Sequence, residues 1–163
     1  IVFVIGKTEG HLDQSIFAKD ILGEKKGPPP EVNLFNEKNI GETLLKLINE
    51  NLIESAHDVS LGGIITAVAK MCIKGKKGIN LNKPKYLINE LEYFFGEDQG
   101  RYIIEVSKKD LKKVTDILNK NAVHFDELGT ISENELYIDD KTKVTIDELT
   151  SSNTNWLTEY MSN

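Results

Sequence analysis

Apolar positions along this chain recur at two spacings, and the changes from one to the other mark its elements. The unbroken apolar run "IVFVIG" at 1–6 predicts a buried strand ended by Gly6. Residues 12–22, LDQSIFAKDIL, predict a short helix stopped at Gly23, and "GEKKGPPP" at 23–30 is a stiff loop, since three prolines continue neither a helix nor a central strand. From 33 to 52 the stripe Ile40, Leu44, Leu45, Ile48 and Leu52 has helical spacing, interrupted in propensity by Gly41. A short strand over 53–58 and a helix over 62–74 follow, the helix with the stripe Ile64, Ile65, Val68, Ala69 and Cys72. "GINLN" at 78–82 alternates as a strand before Pro84, and 87–95 carries one or two helical turns ending at Gly96.

"RYIIEV" at 101–106 predicts a further strand. Ser107 then caps a helix over 108–120, with Asp110 at its third position and Leu111, Val114, Ile117 and Leu118 facing inward. A strand over 123–131, a hairpin of "ELYID" and "KVTID" turning around Asp140, and a terminal helix over 147–161 bearing Trp156 and Tyr160 complete the chain. Strands and helices in this order predict an α+β domain, helices packed on a mixed β-sheet, as one domain over 1–163. The first apolar run begins at Ile1 without an initiator Met or a polar lead-in, and a free terminus frays. The expectation is a fragment cut from a longer chain.

Composition narrows the function classes. Hydrophobic residues make up 39% and charged residues 28% of the 163, the balance of a soluble globular domain. A net charge of −6 argues against a general nucleic-acid binder, and an anionic ligand would need local help from Lys, Arg, a metal ion or a helix N-terminus. No stretch approaches the roughly 20 apolar residues of a membrane span. Cys72 is the single cysteine, which excludes an internal disulfide and a Cys-rich zinc site and fits a cytoplasmic location.

Two polar constellations stand out. In "AHDVSLGGI", 56–64, Asp58 lies at a strand end ahead of a helix, where sheets of this kind bind ligands; it either holds Mg²⁺, or it or Ser60 caps the helix. Gly62 and Gly63 admit a close backbone approach, by a ligand or by a packed neighbour. His57 lacks an acid–base partner at catalytic spacing, and His11 and His124 lack partners at metal-ligand spacing. In "FFGEDQGR", 94–101, Glu97, Asp98, Gln99 and Arg101 share one turn; Arg101 either meets phosphate or pairs with Glu97 or Asp98. The lysines at 25–26, 74–77, 83–85 and 108–113 read as solvated, and Cys72 as a core filler. No P-loop, G-x-S-x-G or H-E-x-x-H motif is present, so the residues alone point to no catalytic set.

Taken in order, "GHLDQSIFAKDILG", "GPPPEVNL", "SAHDVSLGGIITAVAKM", "FFGEDQGRYIIEV" and "DELGTI" resemble the large-subunit type of phosphoribosylformylglycinamidine synthase, and within it the C-terminal domain of the second half. The wider superfamily includes aminoimidazole ribonucleotide synthetase and selenophosphate synthetase, whose C-terminal domains share this type of fold. The resemblance implies an ATP-dependent C–N ligase of purine biosynthesis. It makes formylglycinamidine ribonucleotide from formylglycinamide ribonucleotide, ATP and glutamine-derived ammonia, with Mg²⁺ offsetting the triphosphate charge. It further implies a glutaminase subunit, a small bridging subunit and the remaining domains of the same enzyme as partners, and a domain that is inert by itself. By the pseudo-symmetry of the two halves, it implies Glu97, Asp98 and Gln99 at a substrate-binding position and Asp58 at a metal, with Asp98 standing where the substrate-binding half has Ser. The alternatives are another ATP-dependent member of the superfamily or a non-enzymatic scaffold module.

Overall fold

The computed structural model describes residues 1–24, 26–82, 84, 88–138 and 142–162. Among the described residues seven strands form one sheet: β1 (Val2–Ile5), β2 (Ser55–Val59), β3 (Gly78–Leu81), β4 (Arg101–Glu105), β5 (Phe125–Ser132), β6 (Glu135–Ile138) and β7 (Thr142–Thr145). Their spatial order is β2-β4-β1-β5-β3-β6-β7. Neighbours run antiparallel except β3 and β6, which run parallel, so the sheet is mixed as expected. The α-helices of the described residues are α1 (Leu34–Asn49), α2 (Gly63–Gly75), α3 (Glu90–Phe95), α4 (Leu111–Lys120) and α5 (Ile146–Ser162).

Helices cover both faces, and this explains the hydrophobic pattern. On one face Phe3, Ile5 and Ile104 meet Ile40, Leu44 and Leu47 of α1 and Val114 and Leu118 of α4. On the other, Val4, Ile103 and Leu128 meet Ile64, Val68 and Cys72 of α2 and Tyr93 and Phe94 of α3. Central β1 is buried on both sides and therefore reads as an unbroken apolar run, whereas β2 at the sheet edge mixes polar and apolar residues. Each fully buried Ile or Leu contributes about 1.5–3 kcal/mol, so these two layers dominate the stability.

Three expectations change in detail. The helix over 12–22 is only a π-helical turn, Phe17–Ile21. Gln14 adopts a left-handed φ of 59°, which interrupts a helix ahead of it, and Ser15 Oγ accepts from the N–H of Ala18 (3.0 Å) to start the turn afresh. In α1 the inward stripe is Ile40, Thr43, Leu44 and Leu47, while Leu45 and Ile48 face solvent, because i, i+4 and i+7 from Ile40 set the buried line. Ser107 works one turn early: its Oγ accepts from Asp110 N–H (3.3 Å) and donates to Asp110 Oδ2 (2.7 Å), and α4 begins only at Leu111. β6 and β7 pair as the expected hairpin, but its turn at Asp140 lies outside the described residues, as do Lys25, Lys83 and Lys85 of the lysine clusters. Trp156 and Tyr160 on α5 are exposed.

Candidate functional site

The two constellations of the sequence converge because β2 and β4 are neighbours. Their register sets Val59 opposite Arg101, so the turn leaving β2 and the turn entering β4 lie side by side.

The turn entering β4 is built around buried charge. Arg101 is 1% exposed. Its Nη2 donates to Gly96 O (2.6 Å), its Nη1 to Thr8 Oγ1 (3.2 Å) and its Nε to Asp98 O (3.3 Å), and Nη1 stands 3.4 Å from Asp98 Oδ2. Of the two readings of Arg101, the pairing with Asp98 is the one realised. The Asp98 carboxylate, 8% exposed, also accepts from three consecutive backbone N–H groups, those of Glu9 (3.2 Å), Gly10 (3.1 Å) and His11 (3.1 Å). A buried carboxylate needs such partners to offset its desolvation, and here they fix the segment that follows β1. Glu97 accepts from Gly62 N–H (2.8 Å) and Ile16 N–H (2.9 Å). Gln99 is exposed.

The turn leaving β2 is different. Neither Asp58 nor Ser60 caps α2: the N-cap is Gly62, without a side-chain cap, and the acceptor for its N–H comes from Glu97. Of the Gly-Gly pair, Gly62 leaves room for the Thr66 side chain of α2, and Gly63 serves packing between helices. Gly63 has φ +69°, and a Cβ there would lie 2.6 Å from Phe94 O and 2.7 Å from Gly96 O, at the C-terminal end of α3. Asp58, opposite Tyr102, points to the sheet face that carries α1 and α4, with its side chain 63% exposed. His57 Nδ1 donates to Asp58 O (2.6 Å), a local bond to its neighbour. Among the described residues no group of three or more His, Cys, Asp and Glu comes together. Asp58 alone is not a Mg²⁺ cage, and by themselves the residues present do not fit one.

Between the segment after β1, the Pro28–Pro30 loop and the start of α1 lies an open cleft of about 780 Å³. Lys7, His11, Asn33, Asn36, Asp98 and Gln99 are on its wall; Glu97 is not. The wall is braced by His11 Nε2 donating to Pro28 O (3.0 Å) and Gln14 Nε2 donating to Gly27 O (3.0 Å). Lys7 is paired with Glu9, and that hydrogen bond raises the lysine's pKa, keeping it charged. With Glu9, Asp13, Glu31, Glu37, Glu92 and Asp98 all lining it, the cleft is acidic, so a phosphate group would need a cation beside it. Cys72, the expected core filler, is buried on the inward face of α2, and burial pushes its thiol up to about 11.

Of the predicted site residues, Asp98 and Gln99 reach the cleft, Glu97 stands behind its wall, and Asp58 points elsewhere. Lys7, Thr8, Asn33 and Asn36 had no signal in the sequence: two follow β1 and two stand at the N-terminus of α1, and their roles depend on what folds against them.

Comparison with known proteins places this geometry. Residues 2–141 match the family model "AIR synthase related protein, C-terminal domain". The phosphoribosylformylglycinamidine synthase subunit PurL of Pelagibacter ubique (strain HTCC1062) is 72% identical over 163 residues, covering 100% of this chain and 22% of that protein. The same subunit of Bartonella bacilliformis is 36% identical, with equal coverage. The chain thus spans 22% of the length of these curated relatives. Among solved structures, T. maritima PurL complexed with FGAR superposes with a TM-score of 0.75 at 20% identity, covering 92% of this chain and 27% of that one. PurLQS from Thermotoga maritima gives 0.66 at 22% identity, covering 92% and 26%. At such identities the superpositions establish the shared fold. A mixed sheet sandwiched by helices, the paired turns at β2 and β4, and a family match across 2–141 lead to one assignment: the chain belongs to the AIR synthase related protein C-terminal domain family.

Proposed function

We propose that this chain is the C-terminal domain of a phosphoribosylformylglycinamidine synthase, a fragment of a longer enzyme. That enzyme converts formylglycinamide ribonucleotide to the formylglycinamidine ribonucleotide with ATP and glutamine-derived ammonia. The observation that carries the proposal is the 72% identity along the entire chain to a synthase subunit. The remaining domains of the enzyme, a glutaminase subunit and a small bridging subunit are its partners, and it works in the cytoplasm. ATP and Mg²⁺ belong to the whole enzyme. Asp58 would meet such an ion only together with phosphate oxygens and with ligands from outside this chain.

By itself the domain is inert. Among the described residues its cleft offers binding groups but no nucleophile with an adjoining base, so its part is to supply one wall of a nucleotide site that other domains complete. In that wall Gln99 is the residue of the Glu97-Asp98-Gln99 turn best placed to touch substrate, and buried Asp98 holds the wall in shape. The test is amidine formation from formylglycinamide ribonucleotide, ATP and ammonia, measured for the isolated 163 residues and for the intact protein. Turnover by the intact protein alone is the expected result. Turnover by the isolated chain would overturn the inert-domain reading, and an inactive intact protein supplied with all substrates would overturn the synthase assignment.

A further inference from the structure

Glu97 joins two regions that sequence keeps far apart. Its Oε1 alone accepts from both Gly62 N–H (2.8 Å) and Ile16 N–H (2.9 Å), and its own N–H donates to His11 O (2.8 Å). Gly62 stands at the N-terminus of α2, where N–H groups without an intrahelical partner need an acceptor. Ile16 stands just ahead of the π-helical turn, three residues beyond Asp13, the last residue of this segment on the cleft wall. The side chain does not line the cleft, although Asp98 and Gln99 next to it do.

We infer that Glu97 is a positioning residue rather than a ligand contact: one carboxylate oxygen locks the Gly62-Gly63 turn to the segment over 9–16, whose residues 9–13 wall the cleft, so that the two motifs move as a unit. This rests on the proposed reading that the cleft serves the synthase reaction. It makes a specific chemical demand. The position needs an oxygen acceptor, and it does not need a negative charge, because both bonds go to neutral backbone amides through the same atom. A role at a metal or at a cationic group of a ligand would need the charge.

The substitutions Glu97→Gln and Glu97→Ala separate the two roles, since glutamine keeps one acceptor oxygen and alanine keeps none. In the intact protein, E97A is expected to speed hydrogen exchange at the Ile16 and Gly62 amides by about tenfold or more. It should also lower kcat/KM for amidine formation by a similar factor, and E97Q should restore both to within about threefold of wild type. E97Q losing turnover as fully as E97A while both amides stay protected would overturn the inference. So would E97A leaving exchange at both amides unchanged. If E97A does not fold, E97Q decides alone: protected amides with turnover support the positioning role, and protected amides without turnover sink it. A wild-type protein that forms no amidine refutes the synthase proposal, and the exchange data then judge the positioning role on their own.

Discussion

The turns at β2 and β4 look alike as sequence and behave as opposites in the fold. Each joins carboxylates to glycines at a strand boundary. In the turn entering β4 the Asp98 carboxylate is 8% exposed and holds three backbone N–H groups and an arginine. In the turn leaving β2 the Asp58 side chain is 63% exposed, close to the ring of His57. Residue type and spacing state what a carboxylate can do. What distinguishes the two is the supply of unpaired backbone donors within reach, and that supply comes from the segment after β1, nearly ninety residues away. The difference teaches that an acidic residue beside a glycine is a ligand candidate only once its neighbours' N–H groups are accounted for.

The largest test of this contrast is Arg101→Met. Removing the guanidinium leaves Asp98 buried without its counter-charge and strands the carbonyl of Gly96, which Nη2 held at 2.6 Å. A loss of about 3–5 kcal/mol is expected, read as a shift in the urea midpoint at constant slope. If Arg101 were instead a solvated phosphate contact, the loss would stay below about 0.5 kcal/mol. Adding Asp98→Asn to Arg101→Met sharpens the point. The pair should cost less than the sum of the single changes by about 0.5–3 kcal/mol, the mark of a shared network.

Gly63→Ala comes next. The residue sits at φ +69°, and the new methyl would meet the carbonyl oxygens of Phe94 and Gly96. The left-handed backbone alone costs about 1–3 kcal/mol, with the displaced α3 terminus adding to it. Thermal unfolding measures it. A substitution tolerated without loss would mean that the space at Gly63 is free for a ligand rather than filled by α3.

Much of the fold was legible before the structure, for a physical reason. β1 and β4 carry apolar runs and α2 a helical apolar stripe because both faces of the sheet are covered, and burial writes itself into sequence. The failure over 12–22 has an equally definite cause. Ile16 and Ala18 suit a helix, but Gln14 turns left-handed and the N–H of Ile16 is taken by Glu97 from 81 residues away, so a tertiary bond overrides local propensity. The choice between Leu45 and Leu47 as the buried residue of α1 was likewise set by what α1 meets, since both lie near the apolar stripe. The site was legible in part: the turn at 97–99 was found, but Lys7, Thr8, Asn33 and Asn36 became cleft or network residues only through chain crossings that no local pattern records.

The smallest expected effect falls on Asp58 and closes the contrast from the other side. Were it the cap of α2, Asp58→Ala would cost about 0.5–2 kcal/mol. The structure gives that acceptor role to Glu97 and leaves Asp58 at the exposed end of β2, facing away from α2. Asp58→Ala should therefore change the unfolding free energy by no more than about 0.5 kcal/mol. Chemical unfolding resolves this against Arg101→Met measured alongside. A cost near 2 kcal/mol would erase the distinction between the two turns, because it would mean that Asp58, like Asp98, has its oxygens committed to the fold. A negligible cost keeps Asp58 as the one carboxylate of the two constellations that the domain can lose without weakening itself, the condition under which a side chain is free to serve something outside the domain.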